Sequence, residues 1–182
     1  MSMNYFDDDS PFREDEGELI ILGLGSNVGD SSAILRGAAK RLRTILHDIR
    51  VSSVYKTAPQ EYVQQDDFLN LVISGRYAGT PQHLLADIQS IETAYGRNRS
   101  QEIPKGPRTL DIDILFFGTQ CIQQADPDLC IPHPALVRRC FVLIPLLELF
   151  PAYRHPINGK PLAEVCSSLG NQGVVKTAIV VE

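Results

Sequence analysis

Blocks of apolar and polar residues alternate along this 182-residue chain, and their periods separate strands from helices. Residues 18–26, ELIILGLGS, form a short apolar run ending in glycines, the pattern of a buried strand. From Ser31 the period lengthens. Ile34, Leu35, Ala38, Leu42, Ile45 and Leu46 recur at helical spacing, with Asp30, Ser31 or Ser32 as cap. Residues 49–55 alternate again, a polar loop occupies 57–67, and 68–77 reads as a second strand, so the two form an antiparallel pair across the loop. Thr80 and Pro81 supply an N-cap and a first-turn proline to a helix reaching about Tyr95, with Leu84, Leu85, Ile88 and Ile91 as its buried stripe. A basic loop rich in Gly and Pro follows, then an apolar strand over 110–117.

The order β-α-β-β-α-β predicts an α+β, ferredoxin-like core, an antiparallel sheet with helices on one face. C-terminal helical additions follow. Residues 138–150 read as a helix despite Pro145, 162–169 as a short helix and 174–182 as a strand.

Charge divides the chain unevenly. The net charge is −5, yet residues 1–18 carry seven acids and one base, leaving 15 acids and 16 bases in the body. The expected organisation is a solvated acidic tail over 1–18 and a single domain over 19–182. A near-neutral body gives no support for nucleic-acid binding. No apolar run reaches the roughly 18 residues of a membrane span, and no basic-then-apolar segment opens the chain. Cys121, Cys130, Cys140 and Cys166 show no metal or redox spacing, which fits reduced thiols in a cytoplasmic protein.

The strand GPRTLDIDILFFG (106–118) is the chemically odd one, because Asp111 and Asp113 interrupt its apolar run. Side chains two apart on a strand share a face, so Leu110, Ile112, Ile114 and Phe116 should face the core and both carboxylates a common cavity. Two acids held that close need a cation: Mg²⁺, which takes oxygen ligands, or arginines. Arg97, Arg99, Lys105 and Arg108 just precede the strand, and guanidinium forks suit phosphate oxygens. The glycines and prolines of that loop suit a lid closing over a nucleotide. His133, between prolines in IPHP, lies between the acidic strand and Arg138-Arg139, which makes a polar role near a nucleotide plausible alongside a structural one. LGLGSNVGD (22–30) has glycines at G-x-G-x-x-x-G, the wrong spacing for a dinucleotide fingerprint, and lacks a P-loop Gly-Lys-Ser/Thr. A nicotinamide oxidoreductase therefore fails on spacing, and these glycines are tight-turn residues that let backbone approach a ligand.

Several stretches together, GLGSN (23–27), SSVYKTAP (52–59), FLN (68–70), GRNR (96–99), GPRTLDIDILFFG, and IPHP followed by FVLIPL, resemble the 6-hydroxymethyl-7,8-dihydropterin pyrophosphokinases of folate biosynthesis. The likeness runs from about Leu19 to Leu147. It implies transfer of the pyrophosphoryl group of ATP to the pterin's hydroxymethyl oxygen, with release of AMP. By that resemblance Asp111 and Asp113 bind two Mg²⁺ ions, and Arg97, Arg108, Asp111 and Asp113 form the catalytic set. Gln89, Glu92, Arg97, Arg99, Arg108, Ile114, His133 and Arg139 match nucleotide-side positions. Thr57, Ala58, Pro59, Phe68, Asn70 and Phe141 match the pterin side, with Phe68 and Phe141 stacking on the ring. Lys105 stands where many members have tryptophan, Ala58 where proline is common and Phe68 where tyrosine is. The implied partners are ATP and the pterin, acting on a monomer. The rival from another class is a ferredoxin-like module that binds nucleotide without turnover, which would not need a carboxylate pair opposite arginines.

Overall fold

A computed structural model describes residues 17–59, 65–97 and 106–181. The expected acidic tail, apart from Gly17 and Glu18, lies outside them, as do Arg99 and Lys105.

β1 (Glu18–Ser26) leads to α1 (Ser31–Leu42), which Asp30 caps by accepting the Ala33 N–H at 2.9 Å. β2 (His47–Val51) and β3 (Tyr55–Thr57) both pair with β4 (Phe68–Tyr77), so the expected single strand over 49–55 is two pieces, joined where Ser52 N–H still donates to Val72 O. α2 (Pro81–Ala94) starts as expected, with Thr80 Oγ1 accepting the His83 N–H at 3.2 Å. β5 (Asp111–Phe117) closes the motif. The sheet runs β5-β1-β4-β3 with β2 also on β4, every pairing antiparallel, which is the ferredoxin-like strand order.

Two apolar layers hold the sheet. On one face α1 and α2 bury Leu35, Leu42, Leu84 and Ile88 against Ile20, Leu22, Leu24, Leu71 and Ile73. On the other, α3 (Cys140–Leu149) and α4 (Leu162–Leu169) cover Ile21, Val72, Leu115 and Phe116. Pro145 sits inside α3 without ending it. A 3₁₀ turn, Leu136–Arg138, precedes α3. β6 (Ile122–Ala125) and β7 (Asp128–Ile131) form a hairpin that the sequence pattern did not suggest. The expected C-terminal strand shrinks to β8 (Val175–Lys176), paired with β3.

β5 corrects one expectation. Its pairing with β1 shifts register between Ile21 and Leu22, so that Leu22 faces Ile114 but Ile21 faces Phe116. The extra residue reverses the alternation. Ile112 and Ile114 pack toward α1 and α2 as period two requires, but Phe116 turns to the α3 side and Phe117 takes the inward place. β1 starts one residue inside the tail assigned to 1–18, because Glu18 already pairs with Tyr77.

Candidate active site

The site lies on the α3 face of the sheet, where β1 presents Gly23 and Gly25. Gly25 pairs with Asn70 on one side and Asp111 on the other, and Gly23 pairs with Val72 and Asp113. A Cβ on Gly25 would sit 3.2 Å from Asn70 Oδ1, so glycine is what lets β4 and β5 present their polar groups across one backbone floor. One cavity is lined by Gly23, Gly25, Thr57, Ala58, Phe68, Asn70, Arg108, Asp111, Asp113, Arg139 and Phe141.

The two carboxylates have unlike surroundings. Asp111 receives Arg97 Nη1 at 2.5 Å on one oxygen and Arg108 Nη1 at 2.7 Å on the other. Burial alone would raise its pKa, but Arg108 and Arg97 hold it below the usual carboxylate range. Arg97 is in turn bound by Glu92, whose side chain is 1% exposed and also accepts the Ile112 N–H at 2.8 Å. Asp113 has looser company, His133 Nε2 and Arg139 Nη1, each at 3.6 Å. Burial and the charge of Asp111 push Asp113 up to about 6, against the pull of Arg139, Arg108 and Arg97.

His133 is fixed from both ends. Its backbone N–H donates to Leu115 O, and its ring Nδ1 accepts the Ala135 N–H at 3.2 Å, so the neutral ring carries its proton on Nε2, toward Asp113. Burial and the Arg139 charge push its pKa down to about 4, despite Asp111. At neutral pH the 3.6 Å contact is therefore a neutral imidazole facing a carboxylate. Arg139 lies over the Phe141 ring, 5.7 Å from its centroid, and Asn70 Nδ2 donates to Thr57 Oγ1 at 2.9 Å, both residues being buried.

An expected result follows from the raised pKa of Asp113. A carboxyl whose pKa is about 6 when folded, against an ordinary 3.8, favours its protonated form in the folded protein. Its contribution to stability is full below pH about 4 and is lost as pH rises through 6. In metal-free buffer at pH 7.5 (roughly; well above both values), Asp113→Asn should be more stable than the parent by about 1 kcal/mol, a figure reduced for solvent screening because the side chain is 34% exposed. Urea melts should show the gap closing toward pH about 4; a gap that does not change with pH would contradict the assignment.

Of the residues singled out in the sequence, Thr57, Ala58, Phe68, Asn70, Arg108, Asp111, Asp113, Arg139 and Phe141 share the cavity. His133 borders it through Asp113, and Arg97 and Glu92 stand behind Asp111. Ile114 is buried toward α1 and α2, Gln89 is half-buried on α2, and Pro59 is half-buried beyond Ala58. Sequence reasoning missed Gln65, which lines the cavity and accepts from Asn27 Nδ2 at 3.0 Å, and Asn27 itself, whose Oδ1 accepts the Arg108 N–H at 2.8 Å. A polar pair 38 residues apart leaves no periodic signal.

A model of the 7,8-dihydro-6-hydroxymethylpterin-pyrophosphokinase family matches residues 21–151. The chain is 39% identical over 145 residues to the 2-amino-4-hydroxy-6-hydroxymethyldihydropteridine pyrophosphokinase of Aquifex aeolicus, covering 80% of this chain and 88% of that protein. It is 37% identical to the protein of the same name from Methylorubrum extorquens, over 84% of this chain and 94% of that one. The folic acid synthesis protein fol1 of Schizosaccharomyces pombe matches 90% of this chain at 36% identity, and this chain spans 22% of it. Among solved structures, wild-type Plasmodium falciparum HPPK-DHPS superposes with a TM-score of 0.65 at 17% identity, covering 86% of this chain and 45% of that one, a likeness of fold. With its acidic strand, its arginines and its glycine floor all inside the matched stretch, this chain belongs to the 7,8-dihydro-6-hydroxymethylpterin-pyrophosphokinase family.

Proposed function

We propose that the cavity holds the pterin and MgATP together, with Asp111 and Asp113 as ligands of two Mg²⁺ ions. The chain is a pyrophosphokinase of folate synthesis. The observation that carries the site assignment is the sharing of one cavity by the acidic pair, Arg108 and Arg139 with the aromatic and amide groups of Phe68, Phe141 and Asn70.

The donor set fits Mg²⁺. Among the described residues no cluster of three or more His, Cys, Asp or Glu could hold a metal. Mg²⁺ needs only one or two carboxylates, because water and phosphate oxygens complete its octahedron. Asp113, its pKa raised and its cationic neighbour 3.6 Å away, is a carboxylate short of positive charge. When bound, the ions supply charge neutralisation for the triphosphate and for the charge developing at its β-phosphorus.

The chain's own groups do the positioning. Phe68 and Phe141 offer faces to a flat ring, and Asn70 with Thr57 offers amide and hydroxyl groups to its polar edge. Arg97, braced by Glu92, keeps Asp111 ionised and aimed, while Arg108, its side chain 24% exposed, is placed to take phosphate oxygens; Arg99, outside the described residues, is assigned to the same phosphates by the family resemblance alone. Arg139 and neutral His133 face the same phosphates beside Asp113. The pterin's hydroxymethyl oxygen attacks the β-phosphorus and gives up its proton to solvent, the bond from the β-phosphorus to the bridging α-phosphate oxygen breaks, and AMP leaves. We assign this activity to a monomer with a single domain that takes in β1 from Glu18, acting in the cytoplasm; no helix among the described residues is long and apolar enough to cross a membrane.

Incubation with MgATP and 6-hydroxymethyl-7,8-dihydropterin, resolved by chromatography, should yield AMP and the pterin pyrophosphate in equal amounts. ADP as the nucleotide product, or ATP consumption without pterin, would reject the reading.

A further inference from the structure

Arg139 and Phe141 reach the cavity from the very start of α3, a helix without a side-chain cap of its own sequence: Arg139 occupies the N-cap and makes no capping bond. The backbone on either side of Arg139 is held instead from the C-terminal segment, outside the stretch that the family model matches. Gln172 Oε1 accepts the Cys140 N–H at 3.0 Å, and Gln172 Nε2 donates to Arg138 O at 3.2 Å. One side-chain amide thus brackets the Arg139 peptide as a neighbouring strand would. Gln172 reaches that position from a left-handed backbone, φ 53°, and Cys140 Sγ adds a contact to Gly170 O at 2.9 Å.

The same segment ties α3 to the pterin side of the sheet. Lys176, in β8, donates to Glu148 Oε1 at 3.2 Å near the end of α3. Glu148 also accepts from the Ser53 hydroxyl at 2.7 Å and the Tyr55 hydroxyl at 2.9 Å. β8 itself pairs with β3, the strand that ends in Thr57. Residues 170–176 therefore touch both walls of the cavity without lining it.

We infer that Gln172 is a positioning residue for the reaction, setting Arg139 and Phe141 through the backbone at the start of α3. The inference rests on the placement of the pterin against Phe141 proposed above. Gln172 is solvent-exposed, so its replacement removes the two hydrogen bonds to the start of α3 and little packing.

The test compares Gln172→Met, which keeps the length and loses both bonds, with Gln172→Glu, which keeps the acceptor for the Cys140 N–H at a helix N-terminus that favours negative charge. Gln172→Met should raise KM for the pterin about tenfold, the worth of roughly one net hydrogen bond, with kcat less affected. Gln172→Glu should recover most of that loss, and both variants should melt within a few degrees of the parent, roughly. Binding of 6-hydroxymethylpterin, followed by its fluorescence with α,β-methylene-ATP present, should shift in parallel with KM. A Gln172→Met enzyme within twofold of the parent overturns the inference (roughly, given a tenfold expectation). So does a loss that Gln172→Glu fails to restore and that follows the melting temperature. Turnover of the parent to AMP tests the function separately.

Discussion

Asp113→Ala should abolish turnover, by about a thousandfold or more, in a protein that melts no lower than the parent. Two considerations give the expectation its unusual form. In the proposed reaction Asp113 is a metal ligand, and among the described residues the other carboxylate lining the cavity, Asp111, is already engaged by Arg97 and Arg108. Structurally, however, Asp113 is a burden, with burial and the neighbouring negative charge pushing it up to about 6 and no contact closer than 3.6 Å to His133 or Arg139. Removing it takes away a poorly compensated charge. Product assays at saturating MgATP check the first half, and thermal melts in the absence of metal check the second. Near-normal Mg²⁺-dependent rates in this variant would show that the two-ion assignment is wrong.

Arg97→Met should do the opposite and cost stability first. Its guanidinium, 6% exposed, joins Glu92 to Asp111. Removing one partner of a buried ion pair typically costs about 3–5 kcal/mol, because the remaining charge loses its compensation. For a chain of this size, about 3 kcal/mol corresponds to a fall in melting temperature of roughly 10 °C. The pairing can be separated from simple loss of packing by adding Glu92→Gln, which removes the negative charge while keeping an acceptor for the Ile112 N–H. The double variant should regain most of the stability and none of the activity. If Arg97→Met and the double variant melt together, the Glu92–Arg97 pair is not what holds this part of the fold.

Much of this was legible before any coordinates, and the reasons are local. Caps at Asp30 and Thr80 and the helical stripes they start are written within a few residues of each other, and α1 and α2 begin where those signals put them. Asp111 and Asp113 share a face because period two holds as far as Ile114. It fails one step later because the bulge depends on how β5 pairs with β1, which no run of residues within β5 announces. The β6–β7 hairpin was missed for a related reason: Ile122 to Ala125 alternates over too few residues to stand out. Asn27, Gln65 and Gln172 act through side-chain amide contacts between distant segments, so their roles exist only once the chain is folded.

The glycine floor has a consequence for how such a site can vary. A cavity whose base is main chain has a base that substitution cannot easily repaint: Gly23 and Gly25 contribute peptide groups and space alone. Everything that distinguishes one ligand from another must then be written on the surrounding walls, which come from β3, β4, β5, the segments that flank them and the start of α3. A change in a wall side chain, at Ala58 or Phe68 for instance, leaves the backbone pairing beneath untouched. Selectivity and scaffold are in this way assigned to different parts of the chain.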